Sequence, residues 1–415
     1  MTTSRRRFLQ STLGASAVLS AQATMPQLLA RTALAAGRSS ARATDDVLVV
    51  VQLSGGNDGL NTVIPYADSL YGKNRLELKI DQTSVLKLDD EIGLHPSLKG
   101  FVKLAEAGRW SVVQGVGYPN PDRSHFSSMD IWHTAERTAE KQRDGWLGRS
   151  LDRFAAASGK PALRDTPALH LGGGPLPLAL VSRTQPVPSI ESLDGFRLRG
   201  ERGLANEALP TLAAAPRSGE SDMLAFLQRT TLDAYAASAR VQEVLKAETS
   251  ATTYPAHRLA GKLANIAKLI DAGLETRVYY VSLDGFDTHA NQRQTHAALL
   301  TELSESVAAF VNDLESRGQL SRTCVLMFSE FGRRVKENAS LGTDHGAAAP
   351  LFLAGGGLRK SIIGKHPRLD DLDKEGDLKF HTDFRSVYAS ILQQRLRLPA
   401  EQVLGAKYEP AELFA

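Results

Sequence analysis

The chain has very little cysteine, and this scarcity limits its function. Its 415 residues include one cysteine, Cys324, so no disulfide can form within the chain. Iron–sulfur clusters and c-type haem are also excluded, because there is no Cys-x-x-Cys pair. Cys324 lies in an apolar run, where we expect a buried and unreactive thiol. A redox role is therefore the least favoured class of function.

The sequence also lacks a strong charge bias, a basic stripe with interleaved aromatic residues, and a long apolar segment. Its formal net charge is +3, from 49 basic and 46 acidic residues. We therefore predict no nucleic-acid partner. Beyond the N-terminal segment, no stretch approaches the ~18–20 apolar residues that cross a bilayer, so we expect no membrane span in the mature protein.

The first 35 residues resemble a twin-arginine (Tat) signal peptide. Arg5, Arg6 and Arg7 precede Phe-Leu and a weakly apolar stretch, and Ala33–Leu34–Ala35 offers a cleavage site. A Sec signal that happens to contain arginines is the alternative. The Tat route exports folded proteins across the bacterial inner membrane. We predict a periplasmic or secreted protein, near neutral in charge after cleavage, with the Tat translocase as its partner during export.

Apolar runs alternate with amphipathic helical segments along the rest of the chain. Their solid apolar character is typical of strands that are buried on both faces. The runs are Val47–Val51, Trp110–Gln114, Arg277–Val281, Thr323–Phe328 and Pro350–Ala354. This alternation predicts an α/β fold with a doubly wound, mainly parallel sheet flanked by helices.

The pattern also predicts how the chain is divided. Residues 1–35 form the signal peptide, residues 36–45 a flexible lead, and residues 46–415 one α/β domain. Residues 67–97 are an excursion between the first strand and the next helix. Residues 195–255 interrupt the alternation, and we predict that they form a cap or insertion near the site.

Polar clusters follow three of the predicted strands, and a fourth cluster comes soon after the third. They are Ser54–Gly59, Asp284–His289, Ser329–Arg333 and Gly342–Gly346. In an α/β sheet, side chains at the carboxyl ends of strands gather into one polar site. Asp, Glu and His are ligands for divalent metals. The candidate metal ligands are Asp58, Asp287, His289, Glu330, Asp344 and His345.

Two of these clusters also have a structural interpretation. Asp58 suits an Asx-turn within Asn-Asp-Gly, and Glu330 and Arg333 suit a surface ion pair. Asp287 and His289 alternate in sequence, so an extended segment points both the same way, as a shared metal requires.

Residues 121–130 begin a predicted helix that follows the Trp110 strand. The Ser124 hydroxyl at its N-terminus suits a nucleophile near an anionic substrate, because the helix end favours negative charge. The alternative is that Ser124 is a helix N-cap and nothing more.

Together with the Tat start, five motifs resemble a bacterial family of Tat-exported proteins, the domain of unknown function numbered 1501. They are Leu-Ser-Gly-Gly-Asn-Asp-Gly (53–59), Arg-Ser-His-Phe (123–126), Gly-Phe-Asp-Thr-His (285–289), Ser-Glu-Phe-Gly-Arg (329–333) and Asp-His-Gly (344–346). The resemblance covers nearly the whole mature chain. That family is grouped with the alkaline phosphatase-like superfamily, whose members include phosphatases, sulfatases and phosphomutases.

The resemblance implies an alkaline phosphatase-like core and a role for each motif. Asp58 resembles the first metal-bridging Asp and Ser124 the nucleophile. Asp287 or Asp284 with His289 resembles the Asp…His pair, and Asp344–His345 the late-His segment. His125 and Arg333, with Arg123, would contact the anion or its leaving group.

Phe331 is the main departure from this pattern, because it stands where the superfamily has a metal-binding imidazole. One metal site, from Asp287, His289 and His345, would stay intact. A second, from Asp58, Ser124 and Glu330, lacks a nitrogen ligand unless Asp344 substitutes. The cofactor would then be one or two divalent ions of Mg, Mn, Ca or Zn.

The sequence thus leads to two hypotheses. The first is an exported metal-dependent hydrolase of phosphate or sulfate esters, with a small anionic ester as substrate and Ser124 as nucleophile. The alternative is a non-catalytic exported binding or assembly protein that keeps the fold with a degraded metal site.

Overall fold

A computed structural model describes residues 45–137, 143–158, 165–190, 244 and 252–415. These residues belong to one unit, Asp45–Ala415. The predicted signal peptide at residues 1–35, and nearly all of the predicted cap at 195–255, lie outside the described residues.

The five predicted strands are confirmed, and each is longer than or as long as its apolar run. Shorter strands extend the main sheet towards its edges, and three others form a small second sheet. The strands are β1 (Val47–Ser54), β2 (Val63–Ile64), β3 (Leu86–Lys87), β4 (Gly93–Leu94), β5 (Trp110–Gly117), β6 (Ala168–Leu171), β7 (Ser189–Ile190), β8 (Val278–Asp284), β9 (Thr323–Phe328), β10 (Ala349–Gly355), β11 (Ile362–Ile363) and β12 (Thr382–Asp383).

Helices pack on both faces of the main sheet. They are α1 (Gly59–Thr62), α2 (Ser69–Asn74), α3 (Lys99–Glu106), α4 (His125–Thr134), α5 (Trp146–Ser158), α6 (Arg258–Asp271), α7 (Gln292–Ser316), α8 (Phe384–Ser390) and α9 (Ala400–Leu404). A π-helical turn at Ile391–Arg395 continues α8, and 3₁₀ turns cover Leu178–Leu180 and Leu320–Arg322.

The main sheet has the order β11-β5-β10-β9-β1-β8-β6-β7, with β12 also paired to β5. Strand β1 pairs in parallel with β8 and with β9. Strand β10 runs antiparallel to both β5 and β9. The predicted fold class is confirmed as a mixed, mostly parallel sheet flanked by helices, with β10 as the antiparallel exception.

Alternate residues of β1 enter two different cores, which explains its solid apolar run. Val49 and Val51 pack with residues of α3, α6 and α7 on one face. Leu48 and Val50 pack with residues of α4, α5 and α8 on the other. Burying such a side chain stabilises the fold by about 1.5–3 kcal/mol. The sheet is therefore a rigid base whose carboxyl edge holds the polar clusters.

Candidate functional site

The turn after β1 brings three distant segments of the chain together. Gly55 and Gly56 have positive φ angles of 116° and 74°, a region that favours glycine. A Cβ on Gly55 would lie 2.4 Å from the Asp287 backbone nitrogen, and one on Gly56 would lie 2.4 Å from the Phe331 ring. Glycine at both positions therefore lets the β1 turn contact the segments that follow β8 and β9.

Asp58, predicted as a metal ligand, instead forms a buried ion pair with Arg75. Arg75 Nη1 donates to Asp58 Oδ2 at 2.5 Å and Nη2 donates to Oδ1 at 2.9 Å, and both side chains are 0% exposed. Gln292 Nε2 donates to Oδ2 as well, and the Asn61 N–H donates to Oδ1 at the start of α1. Protein donors occupy both oxygens, so Asp58 offers no free oxygen to a cation.

Three histidines surround Asp287. The distance from His289 Nε2 to Asp287 Oδ1 is 3.0 Å, that from His345 Nε2 to the same oxygen is 3.2 Å, and that from His125 Nε2 to Oδ2 is 3.4 Å. Nitrogen or oxygen atoms of His125, Asp287 and His345 lie within 4.8 Å of one another, close enough to share one cation. We call His125, Asp287, His289 and His345 the histidine cluster.

In each of the three rings, Nδ1 faces an acceptor that holds its proton. The Arg123 carbonyl accepts from His345 Nδ1 at 2.7 Å. Glu330 Oε1 lies 2.9 Å from His125 Nδ1, and Asp344 Oδ1 lies 3.2 Å from His289 Nδ1. Carbonyl and carboxylate oxygens only accept, so each neutral ring carries its proton on Nδ1 and its lone pair on Nε2. A histidine that binds a metal usually donates its other ring N–H to such an oxygen.

The three lone pairs converge on an anion, an arrangement that calls for a cation. His289 Nε2 and His345 Nε2 are 2.9 Å apart, and both face the Asp287 carboxylate. His125 Nε2 is buried without a hydrogen-bond partner. Lone pairs facing one another and a carboxylate are unfavourable unless a proton or metal lies among them. Three imidazoles with one carboxylate fit Zn²⁺ better than Mg²⁺ or Ca²⁺, which prefer oxygen ligands.

Glu330 and Asp344, predicted as metal ligands, lie behind the cluster instead. Glu330 is 2% exposed, and its Oε1 accepts from the Gly55 N–H as well as from His125. Asp344 Oδ1 accepts from Asn338 Nδ2 in addition to His289, and the Asn338 hydrogen bond is the largest cause lowering the pKa of Asp344. In the structure these carboxylates contact the Nδ1 side of the imidazoles, away from the Nε2 atoms that face Asp287.

Arg333, predicted as a contact for the substrate anion, is buried and fully engaged by the protein. It donates to the backbone carbonyls of Gly55, Gly56, Phe286 and Thr343, and Nη2 donates to Asp287 Oδ1 at 2.7 Å. Burial raises the pKa of Asp287, but the hydrogen bond from the Arg333 guanidinium outweighs it and lowers that pKa to about 2. Arg333 thus holds the segments together and keeps Asp287 ionised.

Ser124 lies at the N-cap position of α4, which agrees with the alternative that it is a helix N-cap. Its side chain makes no capping hydrogen bond. It is exposed and directly precedes His125. The sequence predicts that His125 contacts the substrate, and the structure places its ring in the histidine cluster. Arg-Ser-His-Phe is recognisable as a motif, but nothing in it indicates that the His125 ring faces Asp287.

Phe331 is buried against the cluster. Its ring centroid lies 4.9 Å from that of His125 and 4.7 Å from that of His345, and it is 2% exposed. A phenyl ring has no ligand atom, so this side of the cluster is apolar. Among the described residues, one group of ligating side chains this close together is found.

A cleft of about 640 Å³ opens beside the cluster and includes His125, Asp287 and Glu330 in its walls. Met129, Leu176 and Phe126 form an apolar part of the cleft wall, and the Phe126 side chain is 87% exposed. Ser124 is not among the residues that line this cleft. No helix in the described part of the chain is long and apolar enough to cross a membrane.

Comparison with known proteins gives one family match. The model of a family described as "Protein of unknown function (DUF1501)" matches residues 45–403. No curated protein matches the chain.

Several solved structures are similar at low identity. The zinc complex of the C-terminal periplasmic domain of EcEptC from Escherichia coli is 8% identical, with a TM-score of 0.37 over 76% of this chain and 74% of that chain. PsFucS1 sulfatase from Pseudoalteromonas sp. is 9% identical, with a TM-score of 0.37 over 89% and 74%. TAB5 alkaline phosphatase, as a mutant with Mg bound, is 10% identical, with a TM-score of 0.33 over 75% and 92%.

Proposed function

Since this chain belongs to the DUF1501 family, whose description assigns no activity, we propose from its site that it is an exported metal-dependent hydrolase of phosphate or sulfate esters. The observation that supports this most is the convergence of three Nδ1-protonated imidazoles on Asp287 beside an open cleft. The cleft is large enough for a small ester.

The cluster residues would hold one divalent cation, with Zn²⁺ as the first candidate. When bound, such an ion supplies a Lewis acid that neutralises the oxygens of the ester. Glu330 and the Arg123 carbonyl fix the rings of His125 and His345, and Arg333 keeps Asp287 anionic. These contacts hold the candidate ligands on one side of the cleft before a metal binds.

In this proposal the ester binds at the histidine cluster, next to His125 at the edge of the cleft, and the hydroxyl oxygen of the preceding Ser124 attacks the phosphorus or sulfur atom. Its proton passes to solvent, and the bond to the leaving alcohol breaks with that oxygen taking the electron pair. Water then cleaves the seryl ester and regenerates Ser124. The location at the N-terminus of the ten-residue helix α4 supports this role, because unpaired backbone N–H groups there favour an anion. Ser127, also exposed on α4, provides a matched control.

The test uses mature protein, stripped with a chelator and reconstituted with Zn²⁺, Mn²⁺ or Mg²⁺. Elemental analysis should give about one ion per chain, and His345→Ala should lose it while His257→Ala, which lies outside the cleft, keeps it. Hydrolysis of 4-nitrophenyl phosphate or sulfate should require metal and should fall about 10³-fold or more in Ser124→Ala but not in Ser127→Ala. Equal rates in the two serine variants would remove Ser124 from the mechanism.

The rival function is a metal-binding protein without turnover, and Phe331 is the observation that favours it. A buried phenyl ring lies against two of the cluster histidines, so a second ion has no nitrogen ligand on that side. Stoichiometric metal binding with no metal-dependent hydrolysis of either ester class would support this rival.

Export by the twin-arginine route is also part of the proposal. A reporter fused to residues 1–35 should reach the periplasm in cells with a working Tat system. Arg5→Lys/Arg6→Lys should block that export. Transport in a strain without Tat would instead indicate the Sec route.

A further inference from the structure

The cleft extends well away from the histidine cluster, across the carboxyl ends of neighbouring strands. The order β9-β1-β8-β6 places Glu330, after β9, and His170, in β6, on strands separated by β1 and β8. Strands lie about 4.8 Å apart, so the two sides of the cleft are separated by up to about 14 Å. A ligand that occupies the whole cleft is therefore larger than one phosphate or sulfate group.

The side away from the cluster carries two cations, Arg258 and Lys262. They are four residues apart on α6, so they share one face, and both line the cleft. Neither side chain has a hydrogen bond or ion pair within the described part of the chain. Burial is the main cause that lowers the pKa of Lys262, and the charge of Arg258 lowers it further. Two like charges at this spacing repel each other, and an anion between them would relieve that repulsion.

Two acidic side chains, Asp284 and Glu302, lie near these cations. Asp284 lines the cleft, and both Asp284 and Glu302 raise the pKa of Lys262, which indicates that these carboxylates lie near its charge. Burial and the Lys262 charge lower the pKa of His170 to about 4, so its ring is neutral at physiological pH. Asp130 also lines the cleft, from α4. Neither Asp284 nor Glu302 forms a hydrogen bond or ion pair with either cation among the described residues, so both cations keep free donors where α6 meets the cleft.

Backbone donors lie in the same part of the cleft. The loop Gly172–Gly174 lines it, and a Cβ on Gly174 would meet nothing within 4 Å, so the space beside that residue is open. The Gly172 N–H donates to the Ile190 carbonyl, whereas no hydrogen bond from the N–H of Gly173 or Gly174 is found among the described residues. Free backbone N–H groups in glycine loops bind anions.

We propose that Arg258, Lys262 and the Gly173–Gly174 backbone bind a second anionic group of the substrate. The preferred ligands are then small molecules with two anionic groups joined by a spacer, one group at the histidine cluster and the other at Lys262. Apolar wall from Phe126, Met129 and Leu176 would contact the spacer. The identity of the first group rests on the proposed function, but the second site does not.

The test measures binding of non-hydrolysable phosphonates to metal-loaded mature protein by calorimetry at fixed ionic strength. The probes are α,ω-alkane diphosphonates of increasing length, up to a span of about 14 Å, and alkyl monophosphonates of equal length. At the best length, the diphosphonate should bind at least about tenfold more tightly than its monophosphonate, and added salt should reduce that difference.

Three variants separate the second site from general effects of charge. Lys262→Gln should remove the tenfold advantage of the diphosphonate and leave monophosphonate binding unchanged. Asp284→Asn should increase the advantage, because a competing carboxylate is lost. Lys268→Gln, on α6 but not lining the cleft, should change neither. Equal binding of the two probes, or an equal effect of Lys262→Gln on both, would overturn the inference.

Failure of this inference is distinguishable from failure of the proposed function. Phosphonates are not hydrolysed, so a Lys262-dependent preference for diphosphonates supports the second site even if no ester is turned over. Hydrolysis of simple esters with no preference for the diphosphonate would reject the second site and leave the hydrolase proposal intact.

Discussion

The Asp58–Arg75 ion pair can be broken from either side, and neither side chain hydrogen-bonds to a residue of the histidine cluster. In Asp58→Asn, Arg75 loses its charged acceptor but keeps the carbonyls of Val335 and Arg334, to which it also donates. In Arg75→Met, the Asp58 carboxylate loses both guanidinium bonds and keeps Gln292 as its side-chain donor. Both variants leave a buried polar group poorly compensated.

The expected cost is large because both side chains are fully buried. Removing one partner of a buried pair costs about 3–5 kcal/mol. The double variant Asp58→Asn/Arg75→Met should be no less stable than Arg75→Met, because no uncompensated charge remains. Asp90→Asn, which changes an exposed carboxylate of the same excursion, should change the free energy of unfolding by less than about 0.5 kcal/mol.

The pH dependence of stability gives a second measure of this pair. Burial raises the pKa of Asp58, but Arg75 outweighs it and lowers that pKa to about 2, from an ordinary value of 3.8. Stability from the ionised carboxylate is therefore fully present above about pH 4 and is lost as pH falls towards 2. Asp58→Asn should lack that part of the acid-induced loss.

The assay is urea unfolding of mature protein at several pH values, together with elemental analysis of each variant. We expect Asp58→Asn to lose stability and keep its metal. If Asp58→Asn loses the metal while its free energy of unfolding is unchanged, Asp58 is a ligand and its assignment to the ion pair is wrong.

Three further predictions concern the site and the core. Glu330→Gln should weaken metal binding by about 10–100-fold in a chelator competition, because His125 loses its charged acceptor; unchanged affinity would contradict that role. Phe331→Ala should cost about 3–5 kcal/mol in urea unfolding, because it empties a buried ring site, and a cost under about 1 kcal/mol would show that the ring is not packed. Burial raises the pKa of the Cys324 thiol to about 12. Native protein should therefore resist iodoacetamide at pH 8 and react after unfolding. Rapid labelling of native protein would refute the burial of this thiol.

Hydrophobic pattern was enough to predict the main strands, and packing explains why. Val47–Val51 is apolar at every position because each face of β1 packs against helices. The same pattern carries no information on direction, so the antiparallel orientation of β10 could not be read from Pro350–Ala354.

The candidate site was predicted in part. Asp287, His289 and His345 were predicted as ligands, and the structure brings them together. Arg75 was missed, because its partner Asp58 is 17 residues away and no local pattern signals a pair across a turn and a helix. Lys262 and Arg258 were missed too, because on α6 they look like ordinary charges of an exposed helix face.

By itself, the sequence determined which segments form the sheet and that acids and imidazoles gather at its carboxyl edge, because burial pattern and strand ends are local properties. Tertiary structure alone decided what each side chain does there. Arg75 and Arg333 engage two acidic side chains, Glu330 and Asp344 hold imidazole protons, and His125 joins the cluster. Those roles depend on which donors and acceptors come within about 3 Å, a distance that only the folded chain sets.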